Sequence, residues 1–301
     1  MTTPIFQLTN DFPSYTPKCE IRNLEQFVKS PNCDLSKPHH HNYYILVWVT
    51  NGNGCHSVDF IDNEFSTNTV LLISPGQIHY FKKCHNVKGW AVCFQDDSFL
   101  LDDSKDNNLI KCRAYELFDS ATTIHVDADP DKITQLFLCL QEELQRTDKY
   151  AHYDMIICLL KILLIQITRY SHVTHQDAHD VNHSRGWDSF NRFRRILELN
   201  YQKVHTVSEY AKLVGISARS LANITHEVVG AHPLKIINCR IVLEAKRQLA
   251  YSSKPIKEIA FSLGFKSMSH FTKTFNAQAG TSPLEFRAEH QTEGVYPLDS
   301  D

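Results

Sequence analysis

The stretch Ile256-Lys-Glu-Ile-Ala-Phe-Ser-Leu-Gly-Phe-Lys-Ser-Met-Ser-His-Phe-Thr-Lys-Thr-Phe275 decides how this chain folds. Apolar residues recur at helical spacing as far as Leu263, Gly264 halts the run, and Ser267 stands where it can cap a second helix through about Ala279. The same plan occurs once before. Ala211, Gly215, Leu221, Gly230 and Pro233 stand in the order, and nearly at the spacing, of Ala260, Gly264, Phe271, Gly280 and Pro283. The second copy carries one extra residue after its first glycine. In the first copy Val207 to Val214 is halted by Gly215, and Ser217 caps a helix to about Val229. Such a repeat is one supersecondary unit used twice. Between the copies Pro233 starts a longer helix through Leu249, with Ile236, Ile237, Ile241, Leu243 and Leu249 on its expected buried side.

Two short helices joined at a sharp angle with a glycine in the turn match a helix-turn-helix, whose second helix can enter the DNA major groove. An ordinary helical bundle also contains helix pairs, but it does not require the same glycine at both turns. The segments Ile256 to Phe265, Ser269-His-Phe-Thr-Lys-Thr-Phe275 and Gly280-Thr-Ser-Pro-Leu-Glu-Phe-Arg287, with Arg240, Ala245 and Leu249 of the linking helix, resemble the signature of the AraC/XylS transcription regulators. The resemblance covers about a hundred C-terminal residues. It implies two recognition helices presented to successive major grooves on one face of a duplex, with RNA polymerase as a partner.

On the first recognition helix the outward positions are Arg219, Ala222 and Asn223, with Ala218 before them and His226 after. Arg219 can donate two bonds to guanine, and Asn223 can pair bidentately with adenine. On the second, Ser269, His270 and Lys273 point outward, with Thr272 and Lys266 nearer phosphate. Carried over residue by residue, the family pattern points to the same six: Arg219, Ala222, Asn223, Ser269, His270 and Lys273. Leu221, Ile224, Val228, Phe271 and Phe275 are expected inside. The first unit departs from the family pattern, in which an Arg, a Phe and a Lys stand where this chain has Asn223, Thr225 and His226. It has lost two cations and one core aromatic, so fewer phosphate contacts and a softer fold are expected there.

The net charge of −3 looks wrong for a DNA binder until the chain is divided. Arg185 to His290 holds 16 Lys+Arg against 8 Asp+Glu, and the remainder holds 15 against 26. The basic part attracts phosphate and the acidic part is kept from it. The 301 residues leave room for two domains. The nine cysteines are scattered and never spaced as C-x-x-C, which suits free thiols in a reducing cytoplasm rather than a disulfide frame or zinc knuckle. No uncharged apolar run approaches the roughly 18–20 residues of a membrane span, and the N-terminus lacks a signal pattern. A soluble, cytoplasmic protein with no membrane partner is expected.

The front of the chain reads as β. A proline-containing arm to about residue 37 leads into Tyr43 to Thr50, a turn at Asn51-Gly-Asn-Gly54, and short strands at Cys55 to Ile61, Val70 to Ile73, Ile78 to Lys82 and Gly89 to Phe94. Further turns are expected at Asp62-Asn63, Ser74-Pro-Gly76 and Asn86. Strands so short and regular argue a sandwich or small barrel. His39-x-His41 and Pro75-Gly-Gln-Ile-His79 resemble the cupin-like sensor domain that precedes AraC-type DNA-binding domains, which implies a small-molecule effector at the barrel mouth. His39, His41, Tyr44, Trp48, His79 and Trp90 are the candidate effector contacts, with Phe81 as a further apolar wall. Family effectors are often sugars; this lining loosely fits an uncharged polar molecule. Metal-dependent cupin enzymes add a glutamate to three histidines, but here no acidic residue lies between His41 and Asp59. A three-histidine site is chemically possible. The alternatives are histidines that bond backbone or ligand.

From Pro130 the period becomes helical. Ile133, Leu136, Phe137, Leu140 and Leu144 form a stripe, with Asp129 or Asp131 as the cap, and Met155 to Ile167 is apolar on nearly every side. By analogy with AraC-type proteins these helices are expected to pair two subunits, the alternative being a pack wholly within one chain. His172, His175, His179 and His183 lie in a polar linker, and Phe190, Phe193, Ile196, Leu197 and Leu199 begin the C-terminal domain.

The fold expected is therefore a two-domain α+β protein. Residues 1–128 form a cupin-like β-barrel with its arm, 129–170 a helical dimerisation hairpin, 171–186 a linker, 187–290 an all-α domain with two helix-turn-helix motifs, and 291–301 a tail. The expected function is a homodimeric, effector-controlled regulator that binds a double-stranded operator and, by the resemblance, activates transcription. No cofactor, metal ligand or catalytic residue is assigned. Two rivals stand beside it: a metal-binding cupin enzyme fused to a DNA-binding module, and a nonspecific architectural binder.

Overall fold

The computed structural model describes residues 5–6, 18–25, 34–95, 122–146, 150–174 and 185–291. The chain divides into two units, one built within residues 4–178 and the other within residues 179–295. Most of the expected arm, the linker histidines His175, His179 and His183, and the tail beyond residue 291 lie outside the described residues.

The N-terminal unit is organised by two long strands, β4 (Tyr44–Val58) and β7 (His79–Phe94), paired antiparallel along their whole length. Around them stand β2 (Cys19–Asn23), β5 (Ile61–Phe65), β6 (Thr69–Ile73) and β8 (Thr123–His125), in the order β2-β7-β4-β6-β8 with β5 on β4. A separate parallel pair joins β1 (Ile5–Phe6) to β3 (His40–His41). The expected barrel does not close: among the described residues the sheet ends at β2 and β8.

Three expected turns are corrected. Asn51-Gly-Asn-Gly54 lies within β4 and Asn86 within β7, where the register slips between Val49 and Asn51 and again between Asn51 and Asn53. Gly52 (φ 98°) and Asn86 (φ 51°) take up the backbone irregularity, and a Cβ on Gly52 would lie 2.5 Å from the His85 carbonyl oxygen. The glycines and asparagines bend a continuous ribbon instead of ending it. The β4–β5 reversal falls at Asp59-Phe60, both at positive φ, and not at Asp62-Asn63, which lie inside β5. The Ser74-Pro-Gly76 turn stands, with Gln77 N–H donating to Ser74 O at 3.2 Å.

Both faces of this sheet are covered. Leu46, Trp48, Val70, Leu72, Val92 and Phe94 look one way, onto α1 (Pro130–Leu144) and α2 (His152–Thr174), where Ile133, Phe137, Leu140, Ile156, Leu160 and Leu164 meet them. Ile45, Val47, Leu71, Ile73, Ala91 and Cys93 look the other way, onto Leu24, Leu35 and Phe81. A strand with both faces covered reads as a continuous apolar run, which is why Ile45 to Val49 lacks alternation. Asp129 occupies the cap position of α1 in a left-handed conformation (φ 58°) without a side-chain cap bond. Buried His152 bonds Glu143 at 3.0 Å, joining α2 to α1. Met155, Cys158 and Ile162 on α2 and Leu138 on α1 are exposed.

The C-terminal unit is helical: α3 (Arg185–Asn200), α4 (Val207–Val214), α5 (Ala218–Val229), α6 (Pro233–Tyr251), α7 (Ile256–Ser262), α8 (Met268–Ala279) and α9 (Pro283–His290). Helix α3 packs on α4 and α5, while α6 touches α5, α7, α8 and α9. Pro233, Ile237, Ile241, Val242, Ala245, Leu249 and Ala250 of α6 are buried. Ile236 and Leu243 are only half-buried, and Leu199 of α3, expected inside, is 75% exposed. The described cysteines are all free thiols, and among the described residues no helix is long and apolar enough to cross a membrane.

Candidate functional site

Each copy of the repeat folds by the same local rules. Ser217 accepts from the Ser220 N–H at 3.0 Å and starts α5; Ser267 accepts from the His270 N–H at 3.3 Å and starts α8. Gly215 (φ 80°) ends α4, Gly264 (φ 83°) follows α7, and Gly230 and Gly280 end the second helices in the same left-handed conformation. The turn glycines differ in surroundings. A Cβ on Gly215 would meet open space, whereas one on Gly264 would lie 2.4 Å from the Gln202 carbonyl oxygen.

The inward residues fix which side of each second helix is free. On α8, Phe271 and Phe275 are fully buried, and Phe271 meets Phe265 edge-on at 5.2 Å between ring centroids. On α5 the buried pair is Leu221 and Thr225, while Ile224 and Val228, both expected inside, are half-buried. The Thr225 hydroxyl donates to Ala222 O at 3.2 Å, so the family's aromatic position holds a small polar residue satisfied by its own helix. Opposite the buried side, Arg219, Asn223 and His226 are exposed and Ala222 is half-buried. On α8, Ser269, His270 and Lys273 are exposed and Thr272 is half-buried, and Lys266 in the turn before α8 is exposed. The six predicted DNA contacts thus share the outer sides of two equivalent helices, presenting hydroxyl, amide, imidazole, guanidinium and ammonium groups.

The two helix pairs are held by a frame that sequence reasoning left unassigned. Arg240 of α6 donates to Glu198 of α3 at 2.8 and 2.9 Å, with its guanidinium 3.9 Å from the centre of the Tyr201 ring. Glu244 lies 3.5 Å from both Arg240 and Arg247. Burial alone would raise the Glu244 pKa, but Arg247 and Arg240 outweigh it and hold the carboxyl below its usual range. At the far end Arg287 donates to Lys254 O at 2.6 Å, fastening α9 beside α7.

In the N-terminal unit the six candidate effector residues separate. Trp48 is fully buried on the helix-covered face, its indole N–H donating to Thr134 at 3.0 Å, and Tyr44 and Trp90 pack against that same core. His39, His41 and His79 converge elsewhere: the His39–His79 ring centroids are 4.3 Å apart, and His41 is 5.0 Å from each. His79 and Phe81 also line a cavity with Leu24, Leu35, Ile45 and Val47. A fourth histidine, His56, meets His79 at 3.0 Å and stacks on Phe81. It was not predicted. Its only signal is the pairing register His56↔Phe81 and Val58↔His79, which puts it diagonally beside His79 on one face. Burial holds the imidazoles neutral, with His41 and His56 pushed down to about 3 by burial first and neighbouring His39 second.

Among known families, the helix-turn-helix domain matches residues 210–289. Curated relatives include the HTH-type transcriptional activator RhaS of Enterobacter sp. (strain 638), 20% identical over 249 residues that cover 83% of this chain and 86% of the relative. The RhaS of Mannheimia succiniciproducens is 23% identical over 268 residues, covering 84% and 90%. Among solved structures, a transcriptional regulator with an AraC-type DNA-binding domain from Chromobacterium violaceum is 26% identical, covers 35% of this chain and 93% of that one, and has a TM-score of 0.32.

Proposed function

We propose that this chain, which through its C-terminal domain belongs to the AraC family of helix-turn-helix DNA-binding proteins, is a sequence-specific activator of transcription under the control of a small-molecule effector. DNA-binding regulation is the function its relatives carry. The observation that carries the finer reading is the pair of equivalent helices, α5 and α8, each capped by serine, followed by a left-handed glycine and exposing polar side chains opposite a buried apolar side.

Arg219 and Asn223 read base edges from α5, and Ser269, His270 and Lys273 contact DNA from α8. Lys266 and Thr272 fit phosphate. A small-molecule effector alters regulation only by binding one arrangement of the protein more tightly than another. The exposed stripe of Met155, Cys158 and Ile162 with Leu138 supports pairing with a second copy of the chain. RNA polymerase is the partner for activation.

Selection of bound sites from random duplexes tests the reading: a defined site is expected, and equal affinity for every sequence would contradict it. On that site Arg219→Ala is expected to cost about 1–3 kcal/mol and to relax the choice at one base pair. Equal weakening on all duplexes would assign Arg219 to phosphate instead.

A further inference from the structure

Three imidazoles that DNA binding does not use are brought together by the backbone of the N-terminal unit. His39 and His79 exchange both main-chain bonds, His39 N–H to His79 O at 3.1 Å and His79 N–H to His39 O at 2.9 Å. That pairing sets their side chains beside one another, and His41, two residues along extended chain, falls on the same side as His39. All three are buried, and one ring nitrogen from each lies within 4.8 Å of the other two.

The outer nitrogens of His39 and His79 are oriented as metal-binding histidines require. Nδ1 of His39 stands 2.8 Å from the Lys37 carbonyl oxygen. A carbonyl oxygen only accepts, so the proton is on Nδ1 and a neutral ring keeps its lone pair on Nε2. Nδ1 of His79 stands 3.0 Å from Nε2 of His56. When His79 donates in that bond, its own Nε2 lone pair is released for a ligand bond, and this Nε2 is buried with no hydrogen-bond partner. A desolvated acceptor with nothing to accept is costly unless something fills the site.

We propose that His39, His41 and His79 bind one divalent first-row transition-metal ion, of the zinc, cobalt, nickel or iron(II) class, with His56 as a positioning residue that orients His79. Neutral imidazole nitrogens without carboxylates suit these ions and not magnesium or calcium, which take oxygen ligands. Metal–nitrogen bonds of about 2.0–2.1 Å in a tetrahedral set bring the three nitrogens to about 3.4 Å apart. Ring rotation supplies the contraction, while the Lys37 carbonyl and His56 hold the outer nitrogens as supporting groups do around bound metals. The ion cross-links β3 to the start of β7. Water completes its coordination.

The inference does not rest on the DNA-binding reading. The test uses the full-length chain, stripped with a chelator and titrated with Co2+ or Zn2+ by calorimetry and absorption. One ion per chain is expected, with cobalt bands of a nitrogen–oxygen site and no thiolate-to-metal charge-transfer band. His41→Gln and His79→Gln are each expected to weaken binding at least tenfold, and His56→Phe about tenfold with stoichiometry unchanged. Zn2+ is expected to raise the melting temperature of the parent and not of His79→Gln, a comparison that separates lost binding from lost folding. Replacing His172, His175, His179 and His183 by Gln is expected to change nothing. Absence of stoichiometric binding by the parent, a thiolate band, survival of full affinity in both His41→Gln and His79→Gln, or loss on replacing those four other histidines would each overturn the assignment. Binding of the stripped protein to its selected duplex is recorded alongside, so failure of the metal site is distinguished from failure of the DNA-binding reading.

Discussion

Gly215 and Gly264 hold equivalent places in the two copies but are not equally replaceable. Both are left-handed, so alanine at either costs about 1 kcal/mol in backbone strain. At Gly264 the new Cβ would also press on the Gln202 carbonyl at 2.4 Å, whereas at Gly215 it meets nothing. Chemical denaturation is therefore expected to show a loss of about 1 kcal/mol for Gly215→Ala and at least about 3 kcal/mol for Gly264→Ala. Equal losses would mean that the carbonyl moves freely. The glycine at each turn was legible from spacing alone, because left-handed backbone favours one residue type. That the second glycine also admits close chain approach was not legible, since Gln202 lies far from it in sequence. The converse holds for Asn51-Gly-Asn-Gly54. Turn chemistry was read correctly as irregular backbone, but only the pairing of β4 with β7 reveals a bend within a strand instead of its end.

The repeated helices depend on α6 between them. Arg240 joins it to α3 through Glu198 and Tyr201, and Glu244 sits between Arg240 and Arg247. Arg240→Ala removes the ion pair and the ring contact together and leaves Glu244 with one cation fewer. Because Glu198 is half exposed, water screens part of that pair, so a loss of about 2 kcal/mol is expected in urea unfolding. The Glu244 pKa is held below its usual value in the folded protein. Its contribution is therefore present above the unfolded pKa, about 4.3, and lost as pH falls through the lower folded value. The parent is expected to lose stability across that window more steeply than Glu244→Gln; identical pH profiles would remove the linkage. Helix boundaries and part of the buried side of α6, Ile237, Ile241 and Leu249, follow from periodicity. The ion-pair frame does not, because nothing local in Arg240 names Glu198 as its partner. Thr225 shows the same limit: the family pattern marks a core position there, and only the structure shows its hydroxyl satisfied by Ala222.

Over the whole molecule, charge is segregated by sequence position: the segment that holds α3 to α9 is basic and the remainder acidic. Phosphate is attracted to the first and repelled by the second, so nucleic acid is expected at the C-terminal unit. The change of period near Pro130 marks the start of α1, but α1 and α2 pack on the sheet and belong to the β-rich unit, whose division from the helical unit falls near residue 178. Grouping the effector candidates was less successful. Trp48, Tyr44 and Trp90 were placed with the histidines on residue type, but one strand carries side chains to both faces, and the helix-covered face claimed them. The central claim is that two copies of one helical reader meet neighbouring grooves of a duplex. Hydroxyl-radical footprinting of the full-length protein on its selected site tests this most directly. Two protected patches on one face, about one helical turn (~10 base pairs) apart, are expected, with Lys273→Ala weakening the patch assigned to α8 more than the other. A single patch, or protection spread evenly around the duplex, would contradict the account.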